Sequence, residues 1–118
     1  MLSARDTAPR WVGWWFRGAA IYGAVALLAS LAAPGAIVLP QLAFTLTALA
    51  FQIVFWMVGS DPVRYRPLML AGVAEKLAFG VPALLLAAGS TTAIFGAIDL
   101  ALGAGFLVAW FATPARAA

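Results

Sequence analysis

Cysteine and histidine are both absent from this chain, and only four of its residues are acidic. Without thiols there is no disulfide framework, no thiolate nucleophile and no basis for inferring a redox compartment. Without imidazoles the usual ligands of haem, zinc and copper are missing, so no cofactor is expected. A metal ion would have to rest on Asp6, Asp61, Glu75 and Asp99. Those residues lie far apart and show no ligand spacing, whereas oxygen-only cation sites need several convergent ligands.

Charge of either sign is scarce. Asp, Glu, Lys and Arg make up 9% of the 118 residues, against roughly 25% in an average soluble domain. Hydrophobic residues make up 65%, and the mean hydropathy is +1.03. A soluble domain of this size leaves too much of its surface in water to hide that much apolar area. Lipid removes the conflict, and the composition predicts an integral membrane protein. The net charge of +3 is scattered along the chain and reflects few acids, so no nucleic-acid partner is expected.

Residues 1–10 read as a polar tail carrying Arg5, Asp6 and Arg10. Trp11, Trp14, Trp15 and Phe16 follow beside Arg17, a mixture of amphipathic rings and a base that suits the headgroup layer. A basic start, an apolar middle and small residues at Ser30 and Ala32 also fit a cleaved leader. The three tryptophans ahead of the apolar run favour an interfacial anchor. From Gly18 to Gly59 there is no charged residue, about twice the roughly 20 residues that one crossing needs. Two crossings fit, broken at Pro34-Gly35 and Pro40.

Asp61-Pro62-Val63-Arg64-Tyr65-Arg66-Pro67 ends the second helix, and Pro67 suits the first turn of a third. Gly89-Ser90-Thr91-Thr92 turns the chain into a fourth, which Thr113-Pro114 stops. The reading is an all-α, single-domain, antiparallel bundle of four transmembrane helices near residues 11–33, 41–59, 68–88 and 93–112. Arg5, Arg10, Arg17, Arg64, Arg66 and Arg116 then fall on one side, and the loops near Pro34 and Ser90 carry no base. The positive-inside rule places that side, with both termini, in the cytoplasm. Trp11, Trp14, Trp15, Trp56 and Trp110 fall at the same ends, as an aromatic belt would.

In lipid, helices associate through small residues and polar contacts. Such stripes recur at three- and four-residue steps: Ala19, Gly23, Ala26, Ser30 and Ala33 on the first helix, and Gln41, Thr45, Ala48, Gln52, Phe55 and Gly59 on the second. The third has Gly72, Glu75 or Lys76, Phe79 or Gly80, and Ala83; the fourth has Gly96, Asp99, Gly103 and Phe106. Small residues alone can be packing surface. Gln52, Glu75, Lys76 and Asp99 carry a cost in hydrocarbon that makes pairing or function the default.

At about 1.5 Å per residue, Gln52, Glu75, Lys76 and Arg17 share a layer roughly 10 Å in from the cytoplasmic end. Asp99 falls near the level of Thr45, as a separate site. Four readings of the layer stay open. Arg17 or Lys76 neutralises Glu75 as a structural pair. The bases snorkel to the headgroups and Glu75 alone points inward. Tyr65, Arg64 and Arg66 roof a pocket for a lipid headgroup or another anionic ligand. Glu75 and Asp99 step protons or ions across. Neighbours on a helix point about 100° apart, so Glu75 and Lys76 are not expected to serve each other.

The pattern Asp61-Pro62-x-Arg64-Tyr65-Arg66-Pro67-Leu68, followed by Glu75-Lys76 and Phe79-Gly80, resembles small bacterial four-helix membrane proteins in the neighbourhood of the DoxX-like and BphX-like groups. The resemblance covers the loop, the third helix and Ile98-Asp99-Leu100. Some DoxX-like proteins are similar to subunits of quinone-linked redox systems, so it implies an accessory or quinone-adjacent role in a bacterial inner membrane. No catalytic residue transfers. The expectation is a non-enzymatic membrane module, an accessory or interaction subunit or a binder of a small hydrophobic molecule such as a lipid or quinone. Its partners would be membrane lipid, another membrane protein or further copies of itself. A small oligomeric transporter or proton-coupled conduit using Glu75 and Asp99 is the alternative. An enzyme comes third, since general acid–base chemistry would fall to Glu75, Asp99, Lys76 or a tyrosine.

Overall fold

A computed structural model describes residues 7–115 as four helices: α1 Arg10–Ser30, α2 Leu39–Ser60, α3 Arg66–Leu86 and α4 Thr91–Ala112. Arg5, Asp6 and Arg116 lie outside the described residues. Each helix has 21 or 22 residues, hence a length of about 32 Å, close to the roughly 30 Å thickness of a bilayer's hydrocarbon core. All four are apolar enough to be candidate membrane spans.

The ends follow local chemistry. The sequence pattern carries α1 to Ala33, but the helix stops at Ser30. There Leu31, Ala32 and Ala33 donate to carbonyls three residues back and tighten the chain into turns. Pro40, read as a break, sits inside the first turn of α2, where its missing N–H has no partner to lose. Pro67 occupies the same position in α3. The Ser90 hydroxyl accepts from Ala93 N at 3.3 Å and caps α4, so Thr91 and Thr92 belong to that helix and not to a turn. Pro82 lies within α3 and leaves the Ala78 carbonyl without its usual helical donor.

Burial is inverted relative to a water-soluble bundle. Leu28, Ile53, Leu77, Leu85, Ile94 and Val108 are exposed, while Gly23, Gln52, Lys76 and Gly96 are buried. α1 packs closely on α2 and α3 on α4, and the two pairs touch each other sparsely. Small residues permit the close approach within α3 and α4. A Cβ on Gly80 would stand 3.0 Å from the Gly96 carbonyl oxygen.

Between the pairs, one half of the bundle is filled by rings. Phe16 stacks on Phe106 with centroids 4.1 Å apart and planes 7° apart, and Phe55 tilts against both. Val12, Val58, Met69 and Ala109 complete this core, each fully buried. Phe16, Phe55 and Phe106 each sit four residues or fewer from a small or polar stripe residue, so the core continues the same helix faces. The other half is not filled, and the site lies there.

Candidate functional site

A cavity of about 340 Å³ separates α1 and α2 from α3 and α4 in the half away from the ring core. Ser30, Gln41, Thr91 and Thr92 stand at its outer end. Phe44, Phe79 and Phe95 form apolar walls, and Gln52, Glu75, Lys76 and Asp99 line its deep end.

Lys76 organises the deep end. It is 2% exposed, and its stem passes over Gly103, where a Cβ would stand 2.9 Å from the lysine's own Cβ. Any larger residue at 103 would displace the lysine. Its ammonium donates to Asp99 Oδ1 at 3.3 Å and lies 3.5 Å from Glu75 Oε2. It also stands 5.2 Å from the centroid of the Phe55 ring, within cation–π range. A buried ammonium persists only when paired and hydrogen-bonded, and these contacts supply both.

Two expectations are corrected here. Glu75 and Lys76 do serve each other. Their Cβ directions diverge, but both side chains are long and the ammonium lies within reach of the glutamate. Asp99 is not a separate site. Lys76 lies about 15 Å in from Arg66 and Asp99 about 12 Å in from Thr91, at 1.5 Å per residue. Helices of about 32 Å then leave a gap of about 5 Å, which the four-carbon lysine stem spans.

Gln52 is 5% exposed. Its Nε2 donates to the Ala48 carbonyl oxygen at 2.8 Å, and its Oε1 rests against Gly23 with no hydrogen-bond donor. Glu75 Oε2 is likewise buried without one. Gln52 thus joins Glu75 and Lys76 around one space, but Arg17 does not. Arg17 stands over the Trp56 ring at 5.3 Å, its Nε buried without a partner, and it makes no ion pair among the described residues. Among the described residues, neutralisation of Glu75 therefore falls to Lys76.

The pocket expected under Tyr65, Arg64 and Arg66 is not where the cavity lies. Arg66 packs 3.6 Å from the Trp110 ring centroid, and its Nε donates to the Trp110 carbonyl oxygen at 3.1 Å. That oxygen is in the last turn of α4, so the guanidinium satisfies a helix terminus and opposes its dipole. Arg64 is exposed beside Tyr65 at 5.4 Å, and its backbone N–H donates to Asp61 Oδ1 at 3.4 Å. Tyr65 packs on the ring core. These three residues hold helix ends and a loop, at the end opposite Ser30 and Thr91. Trp15, from the tryptophan cluster, ties α1 to α4 by donating to the Leu102 carbonyl oxygen at 3.0 Å.

Phe44 and Phe95 were not singled out in the sequence, although Phe44 lies four residues before Ala48 and so on the Gln52 face. Their rings matter only because the two helix pairs part at that level. No group of three or more metal-ligating side chains converges among the described residues. Comparison with family models, with curated proteins and with solved structures finds no match.

Proposed function

We propose that this is a multi-pass membrane protein, an antiparallel bundle that holds a small amphipathic molecule between its two helix pairs. Membrane integration is supported by four spans of bilayer length and by an outer surface of Leu, Ile and Val. The antiparallel arrangement is supported by pairs such as Gly72 with Phe106, Lys76 with Gly103 and Gly80 with Gly96. Arg10, Arg17, Arg64 and Arg66 gather at one end, which the positive-inside rule assigns to the cytoplasm, together with both termini. The cavity then opens toward the opposite side of a bacterial inner membrane. The protein acts without catalysis, as a binding module or as the ligand-holding subunit of a larger membrane assembly of the kind the DoxX-like resemblance implies.

The observation that carries this reading is the cavity's division into apolar walls and a polar deep end. A volume of about 340 Å³ lies within the roughly 300–1,000 Å³ of ordinary ligand pockets, which combine apolar lining with a few placed polar groups. Purification in mild detergent followed by solvent extraction and mass spectrometry tests it. The native chain retains a stoichiometric small molecule, and Ala48→Phe, which fills the cavity from α2, loses it at unchanged helicity. Equal retention by both chains would show that the cavity is not the site.

Transport is the second reading. It is favoured by a cleft of about 460 Å³ at the arginine-bearing end, reaching in as far as Arg17. Among the described residues, none lines both that cleft and the main cavity. Glu75 and Asp99 meet at one ammonium, so they form a single station and not a ladder across the membrane. Counterflow of the extracted molecule across proteoliposomes distinguishes a carrier from a static binder.

A further inference from the structure

We infer that the molecule held in the cavity is a lipophilic monovalent cation, an alkyl or aryl ammonium whose head sits beside Glu75 and Asp99 while its apolar part lies against Phe44, Phe79 and Phe95. The inference rests on the binding function proposed above and adds the chemical class of the ligand.

Charge is the first ground. Glu75, Lys76 and Asp99 are the charged residues lining the cavity. With two carboxylates and one ammonium ionised, the cluster is left with one negative charge in a space walled by helices. An isolated charge in such surroundings is costly, and a proton or a cation removes the cost. Arg17, which makes no ion pair among the described residues, stands over Trp56 and does not line the cavity.

Hydrogen bonding is the second. Two donors at the deep end are engaged within the protein, Gln52 Nε2 with the Ala48 carbonyl and Lys76 Nζ with Asp99, while Tyr22, Gln41, Thr91 and Thr92 also line the cavity. Gln52 Oε1 is buried without a donor, and Glu75 Oε2 has the Lys76 ammonium 3.5 Å away, too far for a close hydrogen bond. A carboxylate ligand would add negative charge beside Glu75 and Asp99. An ammonium, quaternary or not, brings the opposite charge.

The walls are the third. Phe44 and Phe79 stack with centroids 5.7 Å apart, and Phe95 and Tyr22 line the same space. Aromatic surface of this kind attracts a cation that comes against it, more strongly when the cation is desolvated. The tail of an ammonium amphiphile meets the same rings as an ordinary apolar surface.

The test uses the full chain in a maltoside detergent and three probes with the same tail: octyltrimethylammonium, octanol and octanoate. Binding is read by saturation-transfer NMR and calorimetry against protein-free micelles. The cation binds at least tenfold more tightly than the alcohol, and the carboxylate binds least. Glu75→Gln lowers the cation's affinity at least tenfold and leaves that of octanol unchanged, which also shows that the variant is folded. Octanol binding as well as or better than the cation to the native chain would overturn the inference while leaving the cavity a binding site. Failure of all three probes would remove the binding function as well. Competition by dihexanoylphosphatidylcholine locates the cationic head on a lipid, and its absence on a free amphiphile. The series on the native chain decides the question even where a variant does not fold.

Discussion

The carboxamide oxygen of Gln52 occupies the place where a side chain at position 23 would begin. The polar face of α2 is thereby seated on the small-residue face of α1, and the glutamine is held at the edge of the cavity. A Cβ at that position pushes on the far end of a flexible side chain, whose one retreat is into the open cavity.

Gly23→Ala is therefore expected to lower stability in detergent by about 1 kcal/mol, the order of one hydrogen bond, as the Gln52 bond to Ala48 is lost. Combined with Gln52→Ala it should add almost nothing, because the clash has been removed, and thermal unfolding of the four proteins of the cycle measures the coupling. Gly59→Ala provides the contrast. Its Cβ would stand 2.9 Å from the Gly13 carbonyl oxygen, which is backbone and cannot step aside, so a loss of about 2–3 kcal/mol is expected. Equal costs at positions 23 and 59 would show that Gln52 is not the yielding element.

Removal of the central ammonium should be the most damaging change in the site. Lys76→Met leaves Glu75 and Asp99 facing the same apolar space without a counter-charge, and breaking a buried pair in this way costs about 3–5 kcal/mol. The triple variant Lys76→Met with Glu75→Gln and Asp99→Asn should recover much of that loss, since no charge then remains. Denaturation with increasing sodium dodecyl sulfate compares them. A triple variant as unstable as the single one would mean that an uncompensated charge is not what destabilises Lys76→Met.

The absence of native cysteine makes the proposed orientation directly measurable. With a membrane-impermeant maleimide on intact cells, Pro34→Cys is modified and Arg64→Cys is modified only after lysis. The reverse pattern would invert the bundle and turn the cavity mouth toward the cytoplasm.

Much of the architecture could be read along the chain, because span length and hydropathy are local properties. The long uncharged run from Gly18 to Gly59 covers most of two helices, and Pro67 lies in the first turn of the third. The small and polar stripes also mark buried faces: Thr45, Ala48, Gln52, Phe55 and Gly59 are all buried on α2, and Lys76 is the buried member of its pair. Ala33 and Gln41 depart from their stripes: Ala33 is exposed because α1 has already ended, and Gln41 is exposed in the first turn of α2. The site itself was half legible. Gln52, Glu75, Lys76 and Asp99 stood out because polar groups in apolar helices need partners, but Arg17, Arg64, Tyr65 and Arg66 were drawn into the same picture by depth and charge alone.

Composition and spacing thus determined that the chain forms four apolar helices with few polar groups, each on a small-residue face. Only the tertiary structure decided which of those groups meet. Lys76 reaches Asp99 because a lysine stem spans the remaining distance between two helices, and Arg66 caps α4 because the loop brings it to Trp110. The cavity also belongs to that level, since it exists where large rings fill one half of the space between the helix pairs and leave the other half open.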